Sequence, residues 1–243
     1  FEPLLPGFDT VPFDDPDALR EAVDDTVAGI IVEVVQGEGG LRVLSPEMVA
    51  ALHEVTAAHD VLLIADEIQT GLGRLGALFG SIDAGLTPDI ICLSKPLAGG
   101  LPMSATLIPE RVNSLLQPGD HGTTFGGGPA TSAAALYVLE RITSDGFLDG
   151  VRARAQQLEE GLQALTARFP WIIELRGRGL LRGLRIDLGP DQDRLFPEIL
   201  PAAREAGLLV LRSGGDVVRI APPLVISPRE LERGLRLLET TLQ

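Results

Sequence analysis

The sequence predicts an α/β protein: a larger first domain on a mainly parallel sheet, residues 1–144, and a smaller α+β domain, residues 145–243. Three observations predict it. Up to residue 144, short apolar runs alternate with helical patterns, and such alternation builds a parallel sheet covered by helices. The runs are apolar throughout, as strands buried on both faces are. From residue 148 a long amphipathic pattern opens a stretch of different texture, with strands and helices set around a Gly177-Arg178-Gly179 turn.

Each element has a local reason. Residues 29–34 form an apolar strand carrying Glu33 near its end. A helix follows over 46–59, with Ser45 as N-cap and Pro46 in its first turn, where a missing N–H does no harm. Residues 61–65 are a second strand ending at Asp66, and 90–93 a third ending at Ser94-Lys95; 105–108 make a fourth. The Ala-rich run 130–142 is a helix suited to close packing. In the second half a helix over 148–169 is stopped by Pro170. Strands are expected at 172–175, 181–186 and 217–220, and helices at 197–206 and 228–242. No repeat, low-complexity tract or long linker separates the halves, so they are expected to pack closely.

Composition narrows the function. A formal net charge of −14 argues against nucleic acid or an anionic membrane as partner, since both require basic patches. The single cysteine, Cys92, excludes an internal disulfide and reads as a structural thiol. No apolar run is long enough for a transmembrane helix, and no leader-like segment opens the chain, so a cytoplasmic location is expected. The chain begins Phe1-Glu2-Pro3-Leu4 without a Met, which leads us to expect a piece of a longer or processed protein. His53, His59 and His121 have no Cys or carboxylate at metal-ligand spacing, and no metal site is expected.

Against nineteen arginines the chain carries one lysine, Lys95. A guanidinium stays protonated at any workable pH, whereas a lysine amine can lose its proton and attack a carbonyl. Ligands of parallel α/β sheets bind outside the carboxyl ends of the strands, and three such ends carry polar groups here. The first has Glu33, then Gln36-Gly37-Glu38-Gly39-Gly40; the second Asp66-Glu67-Ile68-Gln69-Thr70-Gly71; the third Ser94-Lys95-Pro96-Leu97-Ala98-Gly99-Gly100. Singly, these residues read as a turn cap, a loop amide and a surface charge; together they supply a carboxylate, an amide and an amine to one ligand.

These segments resemble the class III, ornithine-type aminotransferases, which depend on pyridoxal 5'-phosphate and have the fold type I of such transferases. Pro118-Gly119-Asp120-His121-Gly122-Thr123-Thr124-Phe125-Gly126-Gly127 and Val218-Arg219-Ile220-Ala221-Pro222-Pro223-Leu224 add to the resemblance, as does the spacing of 29 positions from Asp66 to Lys95. It implies that Lys95 is the catalytic lysine, attaching the cofactor and then moving a proton between substrate and cofactor. Asp66 would pair with the pyridine nitrogen and Gln69 with the ring's phenolic oxygen. Thr124, with Thr123 beside it, would reach the cofactor phosphate of a neighbouring subunit, so a homodimer with shared active sites is implied. Arg219 would receive a substrate carboxylate, and Glu38 would pair with Arg219 or release it according to the substrate. The implied reaction moves the distal amino group of N-acetylornithine, or a related ornithine derivative, to 2-oxoglutarate, giving a semialdehyde and glutamate in arginine biosynthesis. Ornithine, 4-aminobutyrate and succinylornithine are alternative donors.

The resemblance also sets limits. The chain looks like the C-terminal ~60% of a full-length member, by that resemblance; the N-terminal part that supplies a Gly-Thr phosphate loop and a ring-stacking aromatic has no counterpart here. Gly128 stands where the family usually has Asn. A catalytically silent, dimerising homologue is therefore a rival reading. An ATP-binding module is another, because residues 61–67 have the form of a Walker B strand, but no Gly-rich loop is followed by a lysine. The arginines at 176, 178, 182 and 185 read as a solvated, partly ion-paired face, and Trp171 as a packing residue.

Overall fold

The protein is described by a computed structural model covering residue 3 and residues 5–243; the opening Phe1, Glu2 and Leu4 lie outside the described residues. Its elements follow in chain order as α1 (Pro16–Ala22), β1 (Gly29–Val32), α2 (Pro46–His59), β2 (Leu62–Asp66), α3 (Gly80–Asp83), β3 (Ile90–Leu93), β4 (Ala105–Leu107), α4 (Glu110–Asn113) and α5 (Pro129–Ile142). After them come α6 (Phe147–Arg168), β5 (Ile172–Arg178), β6 (Leu181–Ile186), a 3-10 turn (Gly189–Asp191), α7 (Gln192–Glu205), β7 (Leu211–Ser213), β8 (Val217–Ile220) and α8 (Pro228–Thr241).

Two four-stranded sheets organise the chain. The first has the order β1-β2-β3-β4. Its first three strands are parallel, with Ile31 opposite Ile64 and Asp66 opposite Cys92, while β4 returns antiparallel to β3. The second has the order β5-β6-β8-β7 and is antiparallel throughout. The expected mainly parallel sheet followed by a smaller α+β region is therefore present.

Helix boundaries follow the caps. The Ser45 hydroxyl accepts from the Met48 N–H at the start of α2, and Asp60 in the left-handed region ends it. Met48, Ala51, Leu52 and Val55 form its buried stripe. They pack with Val35, Leu41, Leu63 and Leu86, and this core also takes in Leu181 and Val217 from the second sheet. Along α6 the stripe is Val151, Ala155, Leu158, Leu162 and Leu165, and α8 begins with a full capping box between Ser227 and Glu230. Both helices cover the second sheet, where Trp171 packs in the core with its ring 5.3 Å from that of Phe169.

Three departures from expectation have physical causes. The strand expected over 29–34 ends at Val32, because Glu33 and Val34 leave the sheet and Val35 bridges Val43 instead. Helix α7 begins at Gln192, not at Pro197, and contains both Pro197 and Pro201. Those prolines lie four apart on the exposed face, where the carbonyls they leave unpaired meet water, while Phe196, Ile199 and Ala203 face the core. Strand β5 runs on to Arg178 because the hairpin with β6 turns only at Gly179-Leu180. Gly179 has φ +60, and a Cβ there would stand 2.5 Å from the Leu75 Cα, so the turn packs directly on the backbone that follows β2.

The arginines of β5 and β6 are ion-paired: Arg176 with Glu174, Arg178 with Asp83, and Arg185 with Asp216. Arg182 departs from a solvated face. It is buried, and burial pulls its pKa down despite its 2.7 Å pair with Glu159.

Candidate functional site

Three carboxyl ends of adjacent parallel strands meet along one edge of the first sheet, and each is fixed by its own backbone. At β1, a Glu33 carboxylate oxygen accepts from the Gly37 N–H at 2.9 Å, which folds residues 33–37 into a tight return. At β2, Asp66 Oδ1 accepts from the Ile68 N–H at 2.9 Å, so its carboxylate is held by the turn that carries Gln69. At β3, the Leu97 N–H donates to the Ser94 carbonyl at 2.7 Å, closing a turn around Lys95, whose side chain is exposed. The Glu33 carboxyl is pushed up, chiefly by burial, against the opposing Gly37 N–H. The charges of Asp66 and Glu38 push it further up and that of Lys95 pulls it down, so these four groups share one field.

The second sheet supplies the opposite wall. Ser213 of β7 is buried; its hydroxyl accepts from the Gly40 N–H and donates to the Gly37 carbonyl, each at 2.9 Å. The Gly214 N–H donates to the Glu38 carbonyl at 2.8 Å. Residues 37–40 are thereby bolted to the β7–β8 turn, and a Cβ at Gly37 would push the Gln69 amide out of its present place. From β8, Arg219 Nη1 donates to Glu38 Oε1 at 2.6 Å, to the Gly37 carbonyl at 2.7 Å and to Gln69 Oε1 at 3.4 Å. Gln69 Nε2 donates to Glu38 Oε1 at 3.2 Å and closes the ring of contacts. The Arg219 side chain is 11% exposed and that of Glu38 69%. The guanidinium is therefore a fixed wall, and the carboxylate lies at the rim with room to move. Arg219 holds the Glu38 carboxyl below the usual carboxylate range, chiefly through their hydrogen bond.

Between the sheets lies a cavity of about 390 Å³, lined by Lys95, Gln69, Arg74 and Arg219 with the apolar Leu181 and Leu211. Its size falls in the range of about 300–1,000 Å³ taken by small-molecule sites. A larger hollow of about 460 Å³, between Phe13, Arg42 and Arg176, contains no lysine, cysteine or serine. An amine, an amide and a guanidinium converge only on the first of these two. That set can hold an anionic, carbonyl-bearing group: the amine attacks the carbonyl, the amide orients it and the cations neutralise it.

Of the residues singled out in the sequence, Lys95, Gln69 and Arg219 line the cavity, Glu38 bonds to two of these, and Asp66 does not line it but ends the strand whose turn carries Gln69. Thr123 and Thr124 do not line it; they sit exposed in the segment before α5. Three neighbours of the site were missed by sequence reasoning. Ser213 and Arg74 give no signal at all, being one serine and one of nineteen arginines. Glu67 could have been noticed as the second carboxylate of Asp66-Glu67. It is fully buried, and accepts from the Thr70 hydroxyl at 2.7 Å and from the Gly80 and Ser81 N–H groups at 3.1 and 2.5 Å.

A family model described as aminotransferase class-III matches residues 11–242. An acetylornithine aminotransferase of Caldanaerobacter subterraneus is 42% identical over 242 residues, a match that spans 100% of this chain and 60% of that protein. The acetylornithine aminotransferase of Brucella melitensis is 39% identical over 244 residues, spanning 100% and 59%. Among solved structures, the ornithine aminotransferase of Toxoplasma gondii superposes with a TM-score of 0.91 at 37% identity, over 99% of this chain and 57% of that one. The N-acetylornithine aminotransferase of Stenotrophomonas maltophilia gives 0.86 at 32%, over 97% and 62%. The chain thus spans about 60% of the length of the curated relatives it matches. Its fold is the fold type I of these transferases. With a match that runs through both sheets and every strand end of the cavity, the chain belongs to the class III aminotransferase family.

Proposed function

We propose that this chain carries the reacting face of an aminotransferase that takes the distal amino group of N-acetylornithine, or a close ornithine derivative, and gives it to 2-oxoglutarate. The observation that carries the reading is the meeting of the sole lysine with Gln69 and Arg219 in one cavity. The family's cofactor is pyridoxal 5'-phosphate, and the donor set fits it: an amine for its aldehyde, a carboxylate at Asp66 for its ring nitrogen and an amide at Gln69 for its phenolic oxygen. When bound, the cofactor supplies an electron sink that makes the substrate's amine-bearing carbon acidic.

The chain's own groups do the rest. Lys95 would hold the cofactor through its amine and, once free, would move a proton between the substrate's amine-bearing carbon and the cofactor. Asp66, held by the Ile68 N–H, would set its carboxylate against the ring nitrogen. Arg219 offers a planar fork to a carboxylate. A donor reacting through its distal amine presents no carboxylate there and leaves the Glu38–Arg219 pair closed. The carboxylate of 2-oxoglutarate competes with Glu38 for the guanidinium, and the exposed Glu38 yields. Thr123 and Thr124, exposed in this chain, would serve the cofactor phosphate of a second subunit, and the working unit is a homodimer. Support for the donor comes from the 42% identity to an acetylornithine aminotransferase; the 37% identity to an ornithine aminotransferase keeps ornithine as the comparison substrate.

The test is glutamate formation from 2-oxoglutarate with N-acetylornithine, ornithine, succinylornithine and 4-aminobutyrate offered in turn. We expect the highest kcat/KM with N-acetylornithine, and Lys95→Ala to lower it by at least about a thousandfold. Preference for another donor would correct the substrate. A folded, cofactor-loaded protein that forms no glutamate from any donor would favour the silent homologue.

A further inference from the structure

The segment 71–79 leaves the end of β2 and crosses to the second sheet. Its base is fastened by the buried Glu67, which grips Gly80 and Ser81 on the far side. Its tip holds Arg74. One nitrogen of that side chain, Nη1, donates to the Leu180 carbonyl at 3.2 Å and to the Pro222 carbonyl at 2.5 Å. The Leu180 N–H donates back to the Arg74 carbonyl at 3.0 Å. Leu180 stands immediately before β6, and Pro222 lies three residues beyond Arg219 on the way out of β8. Arg74 therefore joins the turn of one hairpin to the end of the strand that carries Arg219, and joins both to the strand that carries Asp66.

The chemistry of this tie exceeds what a structural cross-link needs. Neutral donors would satisfy two carbonyls, and a charge is expensive to keep out of water without a counter-charge. Burial pulls the Arg74 pKa down to about 10, with no acidic partner acting on it among the described residues, so the guanidinium keeps its charge at neutral pH. It also lines the same cavity as Lys95 and Arg219. With Glu38 paired to Arg219, the cavity keeps two further basic side chains, Lys95 and Arg74.

We propose that Arg74 is a positioning residue for the acceptor. Through Pro222 it fixes the stretch of β8 that aims Arg219 at the acceptor's carboxylate. This rests on the reading of Arg219 as the arginine that takes a substrate carboxylate. The Arg74 side chain bonds to Leu180 and Pro222 and not to Lys95 or Asp66, so its loss is expected to act on acceptor binding and to leave cofactor attachment and the proton transfer in place.

The experiment uses the cofactor-loaded protein and its Arg74→Met and Arg74→Lys variants. Three quantities are read: KM for 2-oxoglutarate, kcat, and the Kd of glutarate, a dicarboxylate with no keto group, by calorimetry. Arg74→Met is expected to raise both KM and the glutarate Kd about tenfold, the usual consequence of losing a charged contact, with kcat within about twofold. Arg74→Lys, which keeps the charge but not the fork, should fall between; if the Met variant does not fold, it is read in its place. Adding Arg74→Met to Arg219→Lys should raise the glutarate Kd little beyond Arg219→Lys alone, because both act through one group. Unchanged KM and Kd in a folded variant, a loss confined to kcat or thermal stability, or additive effects would each overturn the proposal. If Arg219→Lys itself leaves both constants unchanged, the reading of Arg219 fails; if it raises them and the Arg74 variants do not, only the present inference fails.

Discussion

Glu38 receives two donors on a single oxygen, Arg219 at 2.6 Å and Gln69 at 3.2 Å, yet its side chain is 69% exposed. A pair so open to water contributes little to stability; its value is that it can be exchanged. Arg219 depresses the Glu38 carboxyl, so as pH falls the unfolded chain takes up the proton before the folded one does. The pair's contribution is therefore complete above the ordinary carboxylate pKa and is lost as pH drops through the depressed one. Glu38→Gln should remove that dependence. The small stability advantage of the parent over the variant should be full at pH 7 and diminish steadily as the solution is acidified below the ordinary carboxylate pKa, as followed by urea midpoints; an advantage that does not diminish on acidification would contradict the assignment. At neutral pH the same variant should lower KM for 2-oxoglutarate, because the acceptor's carboxylate no longer competes with an anion for Arg219. How much of this was legible in the sequence depends on residue type. Lys95 was visible because it is unique, and Asp66 because it ends a buried strand. Arg74 was hidden: its meaning lies in contacts with Leu180 and Pro222, 106 and 148 positions away, which local pattern does not carry.

Elements show the same division between local and distant causes. The bounds of α2 and the opening of α8 were readable because Ser45, Pro46, Ser227 and Pro228 are signals that act within one turn. Strand β7 was not readable, since it has three residues, of which Leu211 is exposed, and it exists by pairing with β8. Yet β7 holds Ser213, which bolts the Glu38 loop in place. The hairpin between β5 and β6 makes a prediction of its own. Gly179 combines a positive φ with a backbone-to-backbone approach to Leu75, and neither can yield cheaply to a methyl group. Gly179→Ala should destabilise the protein by more than about 1 kcal/mol, measured from the denaturant midpoint. It should also disturb Arg74, whose carbonyl meets the same turn. A variant as stable as the parent would show that the turn is free to move, and the tie between sheets with it.

At the scale of the whole molecule, the division after residue 144 that we propose on sequence grounds separates the two sheets without separating the packing. Leu181 and Val217 of the second sheet share a core with Leu63 of the first and with Leu41 and Leu52 of the elements around it. Hydrogen bonds cross between them at Gly40, Gly37 and Arg74. Unfolding should therefore be a single transition seen alike by far-ultraviolet circular dichroism and by the fluorescence of Trp171 in the second half; two separated midpoints would show independent halves. One face remains open. Leu136 and Tyr137 on α5 are 58% and 69% exposed, and Phe125, next to Thr124, is 90% exposed. Large apolar side chains left in water at and just before α5 suit the proposed homodimer. Sedimentation should find a dimer that Phe125→Asp weakens, and a monomer at all concentrations would contradict shared sites.

The central claim is that Lys95 is the point at which this chain holds its cofactor. Its most direct test is to mix the purified chain with pyridoxal 5'-phosphate, record the visible spectrum, reduce with borohydride, and map the modified residue by mass spectrometry of the digest. A visible band lost on reduction is expected, with the mass of the reduced cofactor carried by Lys95 alone, and neither band nor label in Lys95→Ala. A folded chain that acquires no band and no label, or a band that survives in Lys95→Ala, would contradict it.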